Sequence, residues 1–183
     1  MSRIGKQLIV IPPGVEAKVS DDILIIKGPK GQLSQKLHPQ ISLDISEGKI
    51  SVKVKNELEK PQRALWGLFG SLIKNMVDGV ISGFEKKLEI NGVGMKAALS
   101  GRKLVLNVGF SHPVDYQLPE GINLAVEGNI IAISGIDKQL VGETAAQIRK
   151  IKPVEPYKGK GLKYVGEKYL KKAGKAAAKT AIK

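Results

Sequence analysis

The stretch Ile23-Leu24-Ile25-Ile26-Lys27-Gly28-Pro29-Lys30-Gly31 decides the fold class of this chain. Its apolar run ends at a glycine–proline turn, as short strands of a hairpin do. Around it, apolar and polar residues alternate with the period of two that half-buried strands show. The alternation predicts further strands over residues 15–19, 33–37, 41–45 and 50–54.

A helix is predicted after these strands. Residues 56–59 open it, and Pro61 lies near its first turn, where the missing N–H costs little. Apolar residues then recur at helical spacing and predict a stripe that faces a core: Leu65, Leu68, Phe69, Leu72, Ile73 and Met76.

The same order of elements returns in the second half of the chain. It predicts strands over residues 84–90, 95–99, 104–108, 114–118, 122–126 and 130–134, and a helix over residues 137–151. A shift of 81 residues matches the chain to itself without a gap from residue 17 to residue 64, with Ala17 on Ala98 and Gly28 on Gly109. This period is longer than that of solenoid repeats, so it indicates a duplicated domain.

The predicted fold class is therefore α+β. We expect two tandem similar domains, each an antiparallel β-sheet packed with one main α-helix, plus a basic C-terminal tail. The predicted boundaries are residues 1–81, 82–166 and 167–183, with the binding loop in the second domain.

Positive charge concentrates at the carboxyl end. The chain has 30 Lys or Arg and 17 Asp or Glu, a net charge of +13. Twelve of these basic residues and only two acids, Glu155 and Glu167, lie from residue 149 onward, which places +10 there. All but four of the 30 are lysines, whose compact charge suits phosphate better than base edges. The tail predicts a polyanionic partner, with nucleic acid first and an anionic membrane surface second.

The sequence lacks the residues and motifs that several classes of protein function require. There is no cysteine, which excludes a disulfide framework and a thiolate site and favours the cytoplasm. No secretory signal is visible, and no apolar run approaches the ~20 residues that a bilayer requires. His38 and His112 stand in turns without a catalytic partner, and Gly28 begins no phosphate-binding P-loop. We therefore expect that the chain is not an enzyme and that it binds neither a cofactor nor a metal.

The carboxyl-terminal segment holds the candidate binding residues. Prolines end the helix there, and glycines let backbone approach a surface closely. Lysine ammonium groups and bare amides are phosphate donors, and tyrosines can stack on an unpaired base. The predicted nucleic-acid-binding residues are Lys152, Tyr157, Lys158, Gly159, Lys160, Gly161, Lys163, Tyr164, Lys168, Lys171 and Lys172. A flexible solvated tail is the alternative, above all for residues 168–183. Residues 2–6 form a second small basic segment.

Seven segments in order carry a resemblance to a known family: Met1-Ser2-Arg3-Ile4-Gly5-Lys6, Ile11-Pro12-Pro13-Gly14-Val15, Lys27-Gly28-Pro29-Lys30-Gly31, Gly83-Phe84-Glu85-Lys86-Lys87-Leu88, Gly92-Val93-Gly94, Gly109-Phe110-Ser111-His112-Pro113 and Glu155-Pro156-Tyr157-Lys158-Gly159-Lys160-Gly161. With them the chain resembles, over essentially its whole length, the bacterial-type large-subunit ribosomal protein six family, whose signature is the last segment. The resemblance departs at Val154, Trp66 and Gly70, where proline, histidine and arginine are usual.

The resemblance implies a structural constituent of the large ribosomal subunit that supports assembly and translation in the cytoplasm. It implies binding of 23S-type rRNA near the stalk base and the factor-binding region, with residues 157–161 at the rRNA contact. Implied partners are this rRNA, neighbouring large-subunit proteins near the stalk base and translation factors nearby. We expect no membrane and no homo-oligomer.

Two other functions stay open on the residues alone. One is general single-stranded nucleic-acid binding, against which the aromatic content of 4% counts, since such proteins stack bases on aromatic rings. The other is attachment to a membrane surface, against which the tail's lack of a sustained apolar face with Trp or Phe counts.

Overall fold

The computed structural model describes residues 6–46, 48–56 and 58–174. The chain divides into two compact units, Met1–Phe84 with Ile136–Lys138, and Glu85–Gly135 with Gln139–Lys183. Each unit contains antiparallel strands and one long helix. The predicted fold class, two tandem α+β domains, is confirmed. In each unit the described strands form two small sheets, a division that the alternation of residues could not predict.

The first unit is built from six strands and one helix in its described part. The elements are β1 (Ile9–Val10), β2 (Glu16–Ser20), β3 (Ile23–Gly28), β4 (Gly31–Lys36), β5 (Ile41–Ser46), β6 (Lys49–Val54) and α1 (Lys60–Ile81). The two sheets have the strand orders β2-β3-β4 and β1-β6-β5.

Alternate residues of the strands supply the core of the first unit. Leu24 and Ile26 of β3 and Ile50 of β6 are fully buried, and Ile73 of α1 is buried with them. Their neighbours in the strands are more exposed because side chains of a strand point to opposite faces in turn. The apolar stretch at residues 23–26 therefore belongs to a sheet that packs on one side only.

The core face of α1 differs from the predicted stripe. Phe69, Ile73 and Met76 are buried as expected, but Leu68 is 50% exposed, so its predicted core position is wrong. Trp66 is only 4% exposed, and its indole N–H donates to the Val52 carbonyl at 2.8 Å. The helix is rotated so that this large ring enters the core, where it buries more apolar surface than Leu68 would.

The second unit has seven strands and one helix in its described part. The elements are β7 (Phe84–Asn91), β8 (Lys96–Ser100), β9 (Lys103–Asn107), β10 (Val114–Gln117), β11 (Ile122–Glu127), β12 (Ile130–Gly135), α2 (Lys138–Ile151) and β13 (Gly161–Tyr164). The two sheets have the strand orders β10-β9-β8 and β11-β12-β7-β13. The short strands β1 and β13 were absent from the sequence prediction.

The two units repeat one plan with a small change of register. Leu104 of the second unit occupies the buried position that Leu24 occupies in the first, and the two are 80 residues apart. Ile131 occupies the buried position of Ile50, and these two are 81 residues apart. The gapless shift of 81 residues is therefore wrong in the first hairpin. A shift of one residue within a hairpin would turn every side chain to the other face of its sheet. The one extra residue of the second unit must therefore lie between the hairpin that corresponds to β2–β3 and the hairpin that corresponds to β5–β6.

Candidate nucleic-acid interface

The second unit carries a closed loop between α2 and β13, the cationic loop (residues 152–160). The Leu162 amide donates to the Lys152 carbonyl at 2.8 Å and closes the base of the loop. The Glu155 amide donates to the Lys160 carbonyl at 2.9 Å, and the Gly159 amide to the Glu155 carbonyl at 3.0 Å. Three backbone hydrogen bonds thus define the path of a segment that composition alone also allowed to be a flexible tail.

Two glycines allow this path. Gly161 has φ +136°, and a Cβ there would lie 2.6 Å from the Pro153 carbonyl oxygen. Gly159 has φ +71°, and a Cβ there would lie 2.8 Å from Cζ of Tyr169. Both positions combine a left-handed backbone with a close neighbour, so no other residue fits without a shift. These glycines shape the loop, and Gly159 itself is buried.

The tip of the cationic loop presents its charges to solvent. Lys158 and Lys160 are exposed on either side of buried Gly159, and the Tyr157 ring is 51% exposed. At the other end, Leu162 of β13 is fully buried in the core of the unit. The loop therefore holds two ammonium groups and one aromatic ring on an anchored frame, which suits phosphate and an unpaired base.

Two predicted binding residues are engaged inside the protein. Lys163 forms an ion pair with Glu89 of β7 at 3.4 Å, and the lysine side chain is 18% exposed. The ring of Tyr164 has Lys86 Nζ 5.0 Å from its centre and Arg149 Cζ 5.6 Å from it. The part of Lys163 and Tyr164 in RNA binding stays a prediction. Within the protein, the charge of Lys163 is already paired with Glu89, and the Tyr164 ring is already in contact with two cationic side chains.

Arg149 and Glu167 form a charged link beside the loop. Arg149, in the last turn of α2, donates from Nε to Glu167 Oε2 at 3.1 Å and from its terminal nitrogen to Oε1. The Tyr164 amide also donates to Glu167 Oε2, at 3.0 Å. The hydrogen bond from Arg149 and, to a smaller extent, that from the Tyr164 amide hold the pKa of the Glu167 carboxyl below its usual value. Neither residue was among the predicted site residues.

Lys152, a predicted site residue, lies against an aromatic ring from another loop. Its Nζ is 4.8 Å from the centre of the Phe110 ring, and Phe110 is 45% exposed. This is a cation–π distance. Phe110 was also missing from the prediction, because it is about 40 residues from Lys152 in the chain and only the fold brings the two together.

The remaining predicted lysines lie on the segment after β13. Lys168, Lys171 and Lys172 are exposed, and the Lys172 amide donates to the Pro156 carbonyl at 2.9 Å. The described part of the tail therefore returns to the cationic loop. The predictions for residues 175–183, and for residues 2–5 of the amino-terminal basic segment, fall outside the described residues.

Metal-binding clusters are absent from the described ranges 6–46, 48–56 and 58–174. No group of three His, Cys, Asp or Glu residues there can hold a metal ion. A groove of about 530 Å³ in the second unit contains a hydrogen bond of 2.6 Å from the Tyr116 hydroxyl to Gln147. Burial raises the pKa of Tyr116, which suits a hydrogen-bond donor and not a base. Neither helix of the described part is long and apolar enough to cross a membrane.

The fold and the loop define a class of protein: a duplicated α+β chain with a cationic, glycine-shaped loop on its second unit. Comparison with known proteins agrees. The family model "Ribosomal protein L6" matches residues 11–83 and again residues 91–165. The chain belongs to the ribosomal protein L6 family, as the resemblance predicted.

Several relatives match along nearly the whole chain. A protein of Desulforapulum autotrophicum named large ribosomal subunit protein uL6 is 53% identical over 98% of this chain and all of its own length. Proteins of the same name from Maridesulfovibrio salexigens and Campylobacter jejuni are 51% identical over 96% of this chain and 50% identical over 98%. The matches cover 99% and 100% of those two relatives. Family membership makes this chain a structural ribosomal protein and not an enzyme.

Proposed function

We propose that this chain is a structural constituent of the large ribosomal subunit in the cytoplasm, where it binds 23S-type rRNA and supports subunit assembly and translation. The observation that carries the proposal is the cationic loop, which exposes Lys158 and Lys160 on a hydrogen-bonded frame in a member of a ribosomal protein family. The relatives' name, large ribosomal subunit protein, agrees with this assignment.

The binding mechanism follows from charge and geometry. Lysines that contact phosphates release condensed counterions, so affinity falls as salt rises. If about six to eight phosphates are contacted, the log–log slope of affinity against salt is roughly −5 to −7 on a duplex. The exposed Tyr157 ring adds a stacking surface for an unpaired base.

The predicted site residues divide into two groups in this proposal. Direct contacts come from the exposed side chains, which are Tyr157, Lys158, Lys160, Lys168, Lys171 and Lys172. The others support the loop: Gly159 and Gly161 permit its backbone path, and Lys152, Lys163 and Tyr164 are held by partners within the second unit.

The proposed location within the subunit is the stalk base, close to the region where translation factors act. Neighbouring large-subunit proteins at the stalk base are the proposed protein partners. Support for this location comes from the resemblance in the signature at residues 155–161. Placing a photo-crosslinking residue at Tyr157 and mapping the linked nucleotides would test it, with the same residue at Leu58 of the first unit as the control.

Fractionation on sucrose gradients tests the function itself. The protein should comigrate with the large subunit in a lysate and remain there at moderate salt. Full-length K158Q/K160Q should be lost at a lower salt concentration than the wild type. K18Q/K36Q, which likewise removes two exposed lysine charges, from β2 and β4 of the first unit, is the matched control. A wild-type protein spread over all RNA-containing fractions would favour general single-stranded nucleic-acid binding.

The boundaries predicted from the sequence, residues 1–81, 82–166 and 167–183, stay a proposal. Limited proteolysis of the free protein tests them, since exposed links between compact parts are cut first. Cleavage near residue 81 that leaves two stable fragments would support the first boundary. Resistance at residue 167 would show that the segment after it belongs to the second domain.

A further inference from the structure

We propose that residues 167–172 form a strap that holds the cationic loop in its RNA-binding shape, with Tyr169 as the positioning residue. The proposal rests on the function proposed above, because it assigns a role within the same site. The strap also carries the exposed residues Lys168, Lys171 and Lys172, but its holding role belongs to Glu167 and Tyr169, which act through contacts within the protein.

One end of the strap is fixed by Glu167. Its carboxylate accepts hydrogen bonds from the Arg149 guanidinium and from the Tyr164 amide. Arg149 lies in the last turn of α2 and Tyr164 ends β13, so Glu167 joins the two elements between which the loop lies. A bidentate pair of this kind is directional as well as strong, and it sets where the strap begins.

The other end of the strap is fixed on the loop itself. The Lys172 amide donates to the Pro156 carbonyl at 2.9 Å. Between the two ends, the tip of the Tyr169 side chain lies against Gly159, with the hydroxyl oxygen nearest and Cζ next, so that a Cβ on this glycine would overlap the tyrosine. The strap therefore crosses the loop and contacts it between the exposed residues Lys158 and Lys160.

Arg149 belongs to this device and not to the RNA contact. It is the one arginine among the basic residues from position 149 onward. Its guanidinium donates to both carboxylate oxygens of Glu167, and its Cζ lies 5.6 Å from the centre of the Tyr164 ring. Lysine cannot reproduce the planar fork, so an arginine is required at this position although lysines serve elsewhere in the tail.

The consequence for binding is preorganisation. A loop that is already in the bound shape does not lose conformational freedom when the RNA arrives, and affinity rises accordingly. Tyr169 and Arg149 are not among the proposed phosphate contacts, so replacing either removes no ammonium group that faces the RNA. Replacement of Tyr169 or Arg149 should therefore lower affinity with little change in its salt dependence, whereas loss of a phosphate contact lowers both.

The experiment compares full-length variants for binding to a 23S-type rRNA transcript over a range of salt concentrations. Y169A and R149K should each weaken binding about tenfold with the wild-type slope of log affinity against log salt. Y169F should bind more tightly than Y169A and close to the wild type, because it loses only the hydroxyl and keeps the Cζ and Cε2 edge of the ring beside Gly159. K158Q is the reference for a direct contact, with a slope smaller in magnitude by about 0.9. R149K conserves the net charge, so its loss cannot come from electrostatics alone.

Hydrogen exchange in the free proteins provides the second readout. The Gly159 and Glu155 amides, which close the loop, should exchange faster in Y169A and R149K than in the wild type and Y169F. Unchanged exchange, unchanged affinity, or a slope reduced by about 0.9 in Y169A would each overturn the strap. If the wild type itself does not bind the transcript, the proposed function fails, and the exchange rates still decide whether the strap holds the loop.

Discussion

Lys163 of β13 lies directly across the strand pair from Glu89 of β7, with Nζ 3.4 Å from Oε2. The two residues are register partners, so their side chains leave the sheet on the same face. The lysine that stood among the predicted rRNA contacts is thus paired with a carboxylate and largely covered. Its position favours a role in holding β13 on the sheet, and thereby in anchoring the end of the cationic loop.

Charge removal at Lys163 and at Lys158 should have different effects. Lys158→Gln removes an exposed ammonium group and should reduce the magnitude of the salt slope of rRNA binding by about 0.9. Lys163→Gln should leave that slope nearly unchanged, because Glu89 already neutralises the charge. Filter binding at several salt concentrations measures both. Equal loss of slope in the two variants would place Lys163 at the RNA.

Substitution of Gly161 should destabilise the protein. A Cβ at this position meets the Pro153 carbonyl oxygen at 2.6 Å, and φ is +136°. We expect Gly161→Ala to lower the free energy of unfolding by roughly 1–3 kcal/mol, as strained backbone positions do. Denaturant unfolding followed by circular dichroism measures it.

The matched control is another glycine with open space around it. Gly142 lies inside α2, and a Cβ there would meet nothing within 4 Å. Gly142→Ala should raise the free energy of unfolding by about 0.5–1 kcal/mol, because alanine suits a helix interior better. A stable Gly161→Ala protein would mean that the Pro153 backbone moves freely.

Replacement of Trp66 tests the core of the first unit. Trp66→Phe removes the indole N–H that donates to the Val52 carbonyl and leaves space in the core. We expect a loss of about 1–3 kcal/mol of stability. Leu68→Ala, on the exposed side of the same helix, should cost much less. Similar losses for both variants would contradict the observed rotation of α1.

Acid should release the Glu167 contacts. The Arg149 guanidinium, then the Tyr164 amide, and then the charge of Lys163 lower the pKa of Glu167 in the folded protein. Because the pKa of Glu167 is lower in the folded protein, the stability that its contacts contribute is fully present above the ordinary carboxyl pKa of 4.5. That stability is lost as the pH falls through the folded pKa of Glu167. The Tyr164 amide resonance, followed by NMR during an acid titration, should shift in that range.

Glu167→Gln is the control for this titration, because it keeps an acceptor for the Tyr164 amide but has no carboxyl proton to gain. The amide resonance in this variant should not move over the same range of pH. A similar shift in Glu167→Gln would assign the transition to another group.

Much of the fold was predictable because hydrophobic periodicity is local. The alternation in β3, β5 and β6 and the helical spacing in α1 depend only on which face of each element is buried. The repeat of this order predicted two domains. The rotation of α1 was not predictable, since the choice between Trp66 and Leu68 depends on how the ring fits against β6.

Less of the candidate site was predictable. The composition of residues 152–172 indicated a cationic, glycine-rich binding segment, because charge and backbone freedom belong to the residues themselves. The composition could not show that Gly159 contacts Tyr169, or that Lys152 lies over the ring of Phe110. Contacts between residues far apart in the chain leave no local pattern.

By itself, then, the sequence determined the fold class, the duplication, the family resemblance and the sign of the partner's charge, since all of these follow from the order and chemistry of the residues. Only the tertiary structure decided which charges are free. The sheet register pairs Lys163 with Glu89, and the end of α2 brings Arg149 to Glu167. Lys158 and Lys160 are left exposed at the tip of the loop. The physical reason is that a charge is neutralised by proximity, and proximity is created by folding.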